Sequence, residues 1–218
     1  MVILSFFLFL SPPPHLLNSS SFLINKFVSK DGKNVDYTKL KTSGEFDKLK
    51  LEVSKLPYII LSELSTEQQK AFFINVFNIL TIHAVASQPK LPHSIQFVIK
   101  KLDPRIHFTL VWGCKSSPAL NVYHSANLDT SLAQAAQKFC EKEVCMYTEV
   151  NEIWLPGFFK WYLKDFGKQD IDVIKSTLPY LSKEKQERAH FLLITLDKVG
   201  NVAIKYAPYE WLLNACNL

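Results

Sequence analysis

Apolar residues recur along the chain with two different periods, and the period separates helices from strands. Over residues 66–85 they lie all round a helix rather than along one stripe, which predicts a buried central helix. Ser65 and Gln68 stand at capping-box spacing, so that helix opens at Thr66. Residues 45–56 have helical spacing through Phe46, Leu49, Leu51 and Val53. Residues 128–142 predict an amphipathic helix capped by Asn127, with Leu132, Ala135, Ala136 and Phe139 on one face and Cys140 extending it into the core. An aromatic helix over 157–166 follows, with Pro156 in its first turn and Gly167 just past its end. Residues 171–181 and 183–196 complete the predicted helices.

Alternation marks the strands. Asp103-Pro104 makes a turn, because proline fixes its own φ and keeps the preceding residue out of the helical region. Residues 106–112 then alternate, with Ile106, Phe108, Leu110 and Trp112 on one face and His107, Thr109 and Val111 on the other. Gly113 breaks this predicted strand, and Cys114, Ser116 and Ser117 follow before Pro118. Shorter strands are predicted over 144–148, 152–155 and 202–206, the last entered through Gly200-Asn201. Residues 27–41 read as a loop with short extended pieces, 88–94 as a proline-bearing loop, and 95–102 as a short helix. Tyr209, Glu210 and Trp211 are expected to fold the tail back, with Trp211 as the anchor and Tyr209 or Asn214 bonded to backbone. The pattern gives an α+β class: a single, mostly helical domain with a small sheet around a buried central helix. Residues 27–218 form that domain, and the apolar, Pro- and Ser-rich residues 1–26 are expected outside its core.

Charge and composition narrow the function. Twenty-five basic residues against 20 acidic ones give a net charge of +5, with the two signs interspersed. The one local basic cluster, Lys100, Lys101 and Arg105, has no aromatic interleaving to stack bases, so nucleic-acid binding is not expected. The apolar run over residues 2–10 is too short to span a bilayer, which takes about 20 residues. It also lacks a basic leader and a small-x-small cleavage site. The cytoplasm is therefore expected, with secretion the alternative if residues 1–20 act as a signal peptide; Asn18-Ser19-Ser20 would then be a glycosylation sequon. None of the four cysteines, Cys114, Cys140, Cys145 and Cys216, is spaced C-x-x-C, and no histidine pair completes a zinc pattern. With no Gly-rich phosphate loop either, neither cofactor nor metal is expected.

Two functional classes remain. One is a cysteine-dependent hydrolase or acyl-transfer enzyme, since a thiol is the best nucleophile near neutral pH but needs a base to ionise it. Cys114 is its candidate nucleophile, His107 or His83 the base, and Asn78 or Asp103 the orienting group. A straight strand rising about 3.3 Å per residue would hold His107 away from Cys114, which favours His83. Asn75 and Asn78 interrupt an apolar helix and are expected to brace neighbouring loops, because buried amides need partners. The other class is a non-catalytic module that binds a protein partner. The sequence leaves oligomeric state and substrate open.

Four ordered motifs resemble the domain-of-unknown-function family 547, DUF547. Residues 103–120 resemble its central pattern D-P-R-[IL]-H-F-A-L-x-C-G-x-x-S-C-P-x-[IL]. Residues 71–83 are similar to its A-F-W-I-N-x-Y-N-A-L-T-I-H helix, residues 158–167 to K-x-F-x-W-Y-x-x-D-F-G, and residues 209–214 to Y-D-W-S-L-N. Asp31, Gly32, Val35, Asp36 and Tyr37 fit its opening D-G-x-x-V-D-Y. The chain departs from the pattern in two places. Trp112 and Ser117 stand where the family carries cysteines, and the I-E-H segment expected between the central helix and residue 103 has no counterpart, His93 included. The resemblance therefore implies a degenerate, non-catalytic copy before it implies an enzyme.

Overall fold

The structure, a computed structural model, describes residues 14–56, 61, 64–87 and 102–216. The loop expected over 88–94 and most of the short helix over 95–102 lie outside the described residues. The fold is mostly helical with one three-stranded sheet, as the α+β expectation requires. The chain groups into two compact units: residues 1–101, 109–131 and 211–218 form one, and residues 102–108 and 132–210 the other.

The first unit is helical. It contains α1 (Pro14–Phe27), α2 (Tyr37–Lys41), α3 (Gly44–Ser54) and α4 (Thr66–Ser87). Leu23 and Phe27 of α1 are buried among α2, α3 and α4 residues, so the core begins inside the segment that the sequence alone places outside it. The Ser65 capping box forms: Gln68 Oε1 accepts the Ser65 N–H at 2.8 Å, and Ser65 Oγ accepts the Gln68 N–H at 3.2 Å. Helix α4 buries residues all round, among them Ile74, Val76, Phe77, Ile79 and Ile82. By length and composition it could cross a membrane, but 67% of its apolar window is buried inside the protein, as in a core helix.

Among its described residues beyond α4, this unit has loops, a short 3-10 turn and the start of the next helix, but no paired strands. Residue pairs Val28–Val35, Val35–Ala215 and Cys114–Leu213 make isolated bridges, through which the C-terminal segment lies between residues 33–35 and 113–115. The tail thus folds back as expected, but its anchor is Asn214. That amide is buried and donates to the Lys33 carbonyl at 3.1 Å, while its oxygen accepts the Tyr37 hydroxyl at 2.9 Å. Trp211 is 52% exposed and does not serve as the packing anchor.

Helix α5 (Leu128–Glu143) starts as predicted, and its residues from Leu132 onward belong to the second unit. There β1 (Cys145–Tyr147) pairs antiparallel with β2 (Glu152–Pro156), placing Met146 opposite Ile153. Asn151 accepts a left-handed φ of 52° in the turn between them, a conformation asparagine tolerates better than most residues. Pro156 ends β2 rather than opening a helix, and the expected aromatic helix breaks at Tyr162 into α6 (Phe158–Trp161) and α7 (Leu163–Phe166). Helices α8 (Asp170–Thr177) and α9 (Lys183–Val199) follow, and β3 (Ala203–Ala207) returns parallel to β2. Met146, Ile153 and Leu155 pack with Phe139 and Cys140 of α5, Val173 and Ile174 of α8, and Leu192 of α9.

The strand expected over 106–112 is absent. Residues Pro104–Phe108 instead form a 3-10 turn in the second unit, and residues from Thr109 onward run irregularly in the first. Asp103 explains the turn: one carboxylate oxygen accepts the Arg105 backbone N–H at 3.1 Å, and the carboxylate grips the Arg105 guanidinium at 3.0 and 2.8 Å. A carboxylate that accepts the backbone two residues on favours a turn over a strand.

Two stability outcomes follow from this packing. Phe77 is buried edge-on to Trp112 at 5.3 Å between ring centroids; Phe77→Ala is expected to lower stability by about 3–5 kcal/mol in urea unfolding. Asn214→Ala is expected to cost about 1–3 kcal/mol, because it strands the buried Tyr37 hydroxyl and the part-buried Lys33 carbonyl. Trp211→Ala should cost less than Asn214→Ala in the same assay, and the reverse order would restore Trp211 as the anchor.

Candidate functional site

The residue types at Cys114 and Ser117 promise chemistry, and backbone geometry brings them together. Gly113 has φ +71°, a conformation that side-chain-bearing residues resist. The chain reverses there, and the N–H groups of Trp112 and Cys114 both donate to Ser117 Oγ, at 3.1 and 3.2 Å. Cys114 Sγ lies 3.2 Å from the same oxygen. Both residues are 1% exposed. Lys115 N–H donates to Leu212 O and Asn214 N–H to Gly113 O, so the tail lies along this turn. Tyr37 is close enough for the Cys114 and Cys216 thiols to act on it; burial first, and those thiols next, raise its pKa above the ordinary phenol range.

The other candidates have partners of their own. Asn78 donates to the Thr109 carbonyl at 3.0 Å and accepts the Val111 N–H at 2.9 Å. Asn75 donates to the Tyr123 carbonyl at 2.6 Å and accepts the Tyr123 N–H at 2.9 Å. Both amides thus brace loops, as the buried-amide argument predicts. His83 stacks on Phe46 at 5.6 Å; its partial burial, then the Lys50 charge, lower its pKa.

His107 belongs to the second unit, where its Nε2 is 2.8 Å from Asp165 Oδ2 and its ring lies 4.3 Å from Tyr162. Burial lowers its pKa most strongly, and the Asp165 hydrogen bond and charge oppose that shift. Asp103 is engaged with Arg105. The structure therefore joins Cys114 to Ser117, while His83 stacks on Phe46 and His107 is bonded to Asp165. Among the described residues no group of three or more His, Cys, Asp or Glu side chains is placed to hold a metal ion.

Sequence reasoning did not single out Tyr37 and Lys33 as neighbours of this turn. Lys33 Nζ donates to the Ser117 carbonyl at 2.8 Å. The available signal was the D-G-x-x-V-D-Y resemblance, which places Tyr37 in a recurring motif but does not say which distant residues it meets.

The two histidines make stability depend on pH. Their folded pKa values are lowered relative to the ordinary value of about 6.5, so the unfolded chain binds protons more readily. Their contribution is complete above that value and is lost as pH falls through the folded pKa. Urea unfolding is expected to show stability declining below about pH 6.5, and His107→Gln should flatten the decline more than His83→Gln, whose ring is less buried.

Comparison with protein families gives a match over residues 88–140 to the family described as "Protein of unknown function, DUF547". Comparison with curated proteins gives no match, and neither does comparison with solved structures. The matched stretch contains the Asp103–Arg105 turn and the Cys114–Ser117 turn described above. The resemblance to DUF547 read from the sequence is thus supported over residues 88–140.

Proposed function

We propose that this DUF547 domain is a non-catalytic module, either an interaction domain or a degenerate copy, acting in a reducing compartment such as the cytoplasm. The observation that carries the reading is the Cys114 thiol, 1% exposed and held against Ser117. A nucleophilic cysteine needs an accessible thiolate and a base or positive charge within reach. The engagement of Asn78 with backbone and of His107 with Asp165 supports the same reading. So does the sequence, which places Trp112 and Ser117 where the resemblance expects cysteines.

Its partner is a protein. Several basic side chains are already paired with acidic ones, including Lys26 with Glu45, Arg188 with Glu184 and Lys205 with Glu152, which argues against a phosphate-binding stripe. Phe191 and Ile194 stand exposed three residues apart on α9, where side chains share a face. All four cysteines are free of disulfides, which supports the reducing compartment.

Alkylation followed by peptide mass spectrometry over a range of pH tests the reading. In the folded protein the part-exposed Cys145 and Cys216 should label first, and Cys114 and Cys140 only after denaturation. Burial raises the Cys140 pKa, which slows it further. Rapid Cys114 labelling with a plateau already reached by pH 6 would mean an activated thiolate. The hydrolase or acyl-transfer reading, with His83 or His107 as base, would then replace this one.

A further inference from the structure

Strand β3 lies at one side of its sheet, and the register fixes which of its backbone groups face outward. The strand order is β1-β2-β3, so β3 has β2 on one side. The Ala203 N–H donates to the Asn151 carbonyl at 2.9 Å, which turns the Ala203 backbone toward β2. Alternation turns Lys205 and Ala207 the same way and leaves the N–H and C=O groups of Ile204 and Tyr206 pointing away from β2. Gly157 agrees with this: a Cβ there would lie 2.6 Å from the Ala207 carbonyl oxygen, so Ala207 faces the continuation of β2. Among the described residues no group bonds the outward backbone of Ile204 or Tyr206.

An open edge is a template for another strand, and proteins commonly guard it with a bulge, a proline or a projecting lysine. The β2–β3 register runs without a bulge, and β3 has no proline. Its lysine is drawn back: Lys205 Nζ is bonded to Glu152 and lies 5.4 Å from the Trp154 ring centroid, over the sheet's own face. The opposite edge offers less, because β1 is three residues long.

The two ends of β3 select the occupant. Exposed Val150 and Val199 stand at its start, one next to Asn151 and the other on the turn that leads into Ala203. Exposed Trp161 stands at its finish, 5.0 Å from Tyr209, which follows the strand closely. We infer that β3 pairs antiparallel with β3 of a second copy of this chain, with Ile204 opposite itself, so that two sheets join into one about a twofold axis. That register carries the Tyr209 end of each copy toward the Val199 end of the other. It also sets each Lys205 opposite the second copy's Ala203, whereas centring on Lys205 would set like charges opposite each other, which is destabilising. The inference rests on the reading that the partner is a protein, and it names that protein. One added strand covers less than the roughly 1,600 Å² of a standard stable interface, so the dimer is weak, with a Kd on the order of 100 μM.

The test uses the full chain as wild type, Ala203→Ser and Ala203→Lys. Residue 203 is exposed, and its neighbour on β2 is Glu152, so a lysine there suits the folded chain while facing Lys205 of a second copy. Circular dichroism and thermal melting check that all three forms fold alike. In sedimentation equilibrium the wild-type mass is expected to rise from 25.0 kDa toward twice that value with concentration. Ala203→Ser should behave as wild type, and Ala203→Lys should dissociate about tenfold more readily, because the twofold repeats the Lys–Lys clash. Hydrogen exchange in the same concentration series should slow at the Ile204 and Tyr206 amides and stay constant at Lys205, which is already bonded to β2. A wild type that stays monomeric up to about 1 mM overturns the inference and leaves a different protein partner standing; failure of the protein-partner reading shows separately, in the Cys114 alkylation. A dimer whose Ile204 and Tyr206 exchange does not slow, or which Ala203→Lys leaves intact, also overturns it, since the contact then lies elsewhere.

Discussion

Two buried asparagine amides on one helix decide how the irregular part of the first unit is arranged. Asn75 and Asn78 lie three residues apart on α4, on a shared face, and each offers one donor and one acceptor to passing backbone. Asn75 holds both main-chain groups of Tyr123, as a neighbouring strand would. Asn78 spans from the Thr109 carbonyl to the Val111 N–H. Buried backbone groups must be paired, and an unmade bond there costs about 1–3 kcal/mol. By supplying those bonds from side chains, α4 lets residues 109–123 run as loop through a buried environment. The all-round apolar surface of α4 is the other half of the constraint, since it keeps water from competing for the same groups.

The Cys114–Ser117 turn depends on that arrangement. With residues 109–111 fixed to α4, Gly113 can reverse the chain and aim two N–H groups at Ser117 Oγ. The tail then lies against the turn through Leu212 and Asn214, and Asn214 ties it to Lys33 and Tyr37. Each layer closes a little more of the path to the thiol. The result is a thiol that is 1% exposed.

Much of this was legible in the sequence, and the failures share a cause. The α4 helix, its Ser65–Gln68 cap, the bracing role of Asn75 and Asn78, α5, and the β1–β2 and β3 strands follow from local pattern, which acts within a few residues. The strand expected over 106–112 alternates correctly but loses to two partners the pattern does not encode. Asp103 bends its start into a 3-10 turn, and Asn78 takes the backbone bonds a strand neighbour would have made. Trp211 looked like an anchor because large aromatic residues usually bury, yet the smaller Asn214 has the bonds that fix the tail. Tyr37 and Lys33 reach the site from far along the chain, and no spacing rule reports a meeting across 84 residues. The grouping of residues 102–108 apart from residues 109–131 is likewise a matter of long-range packing, invisible to periodicity.

The claim on which all of this rests is that the α4 asparagines act as backbone partners for the loop. Native-state hydrogen exchange, resolved to single amides, tests it most directly. The amides of Val111 and Tyr123 donate to buried side-chain oxygens and should exchange as slowly as the interior amides of α4, through the same opening of the unit. If they exchange as fast as amides in an unfolded chain, the asparagines do not hold the loop and the account of the site falls with them.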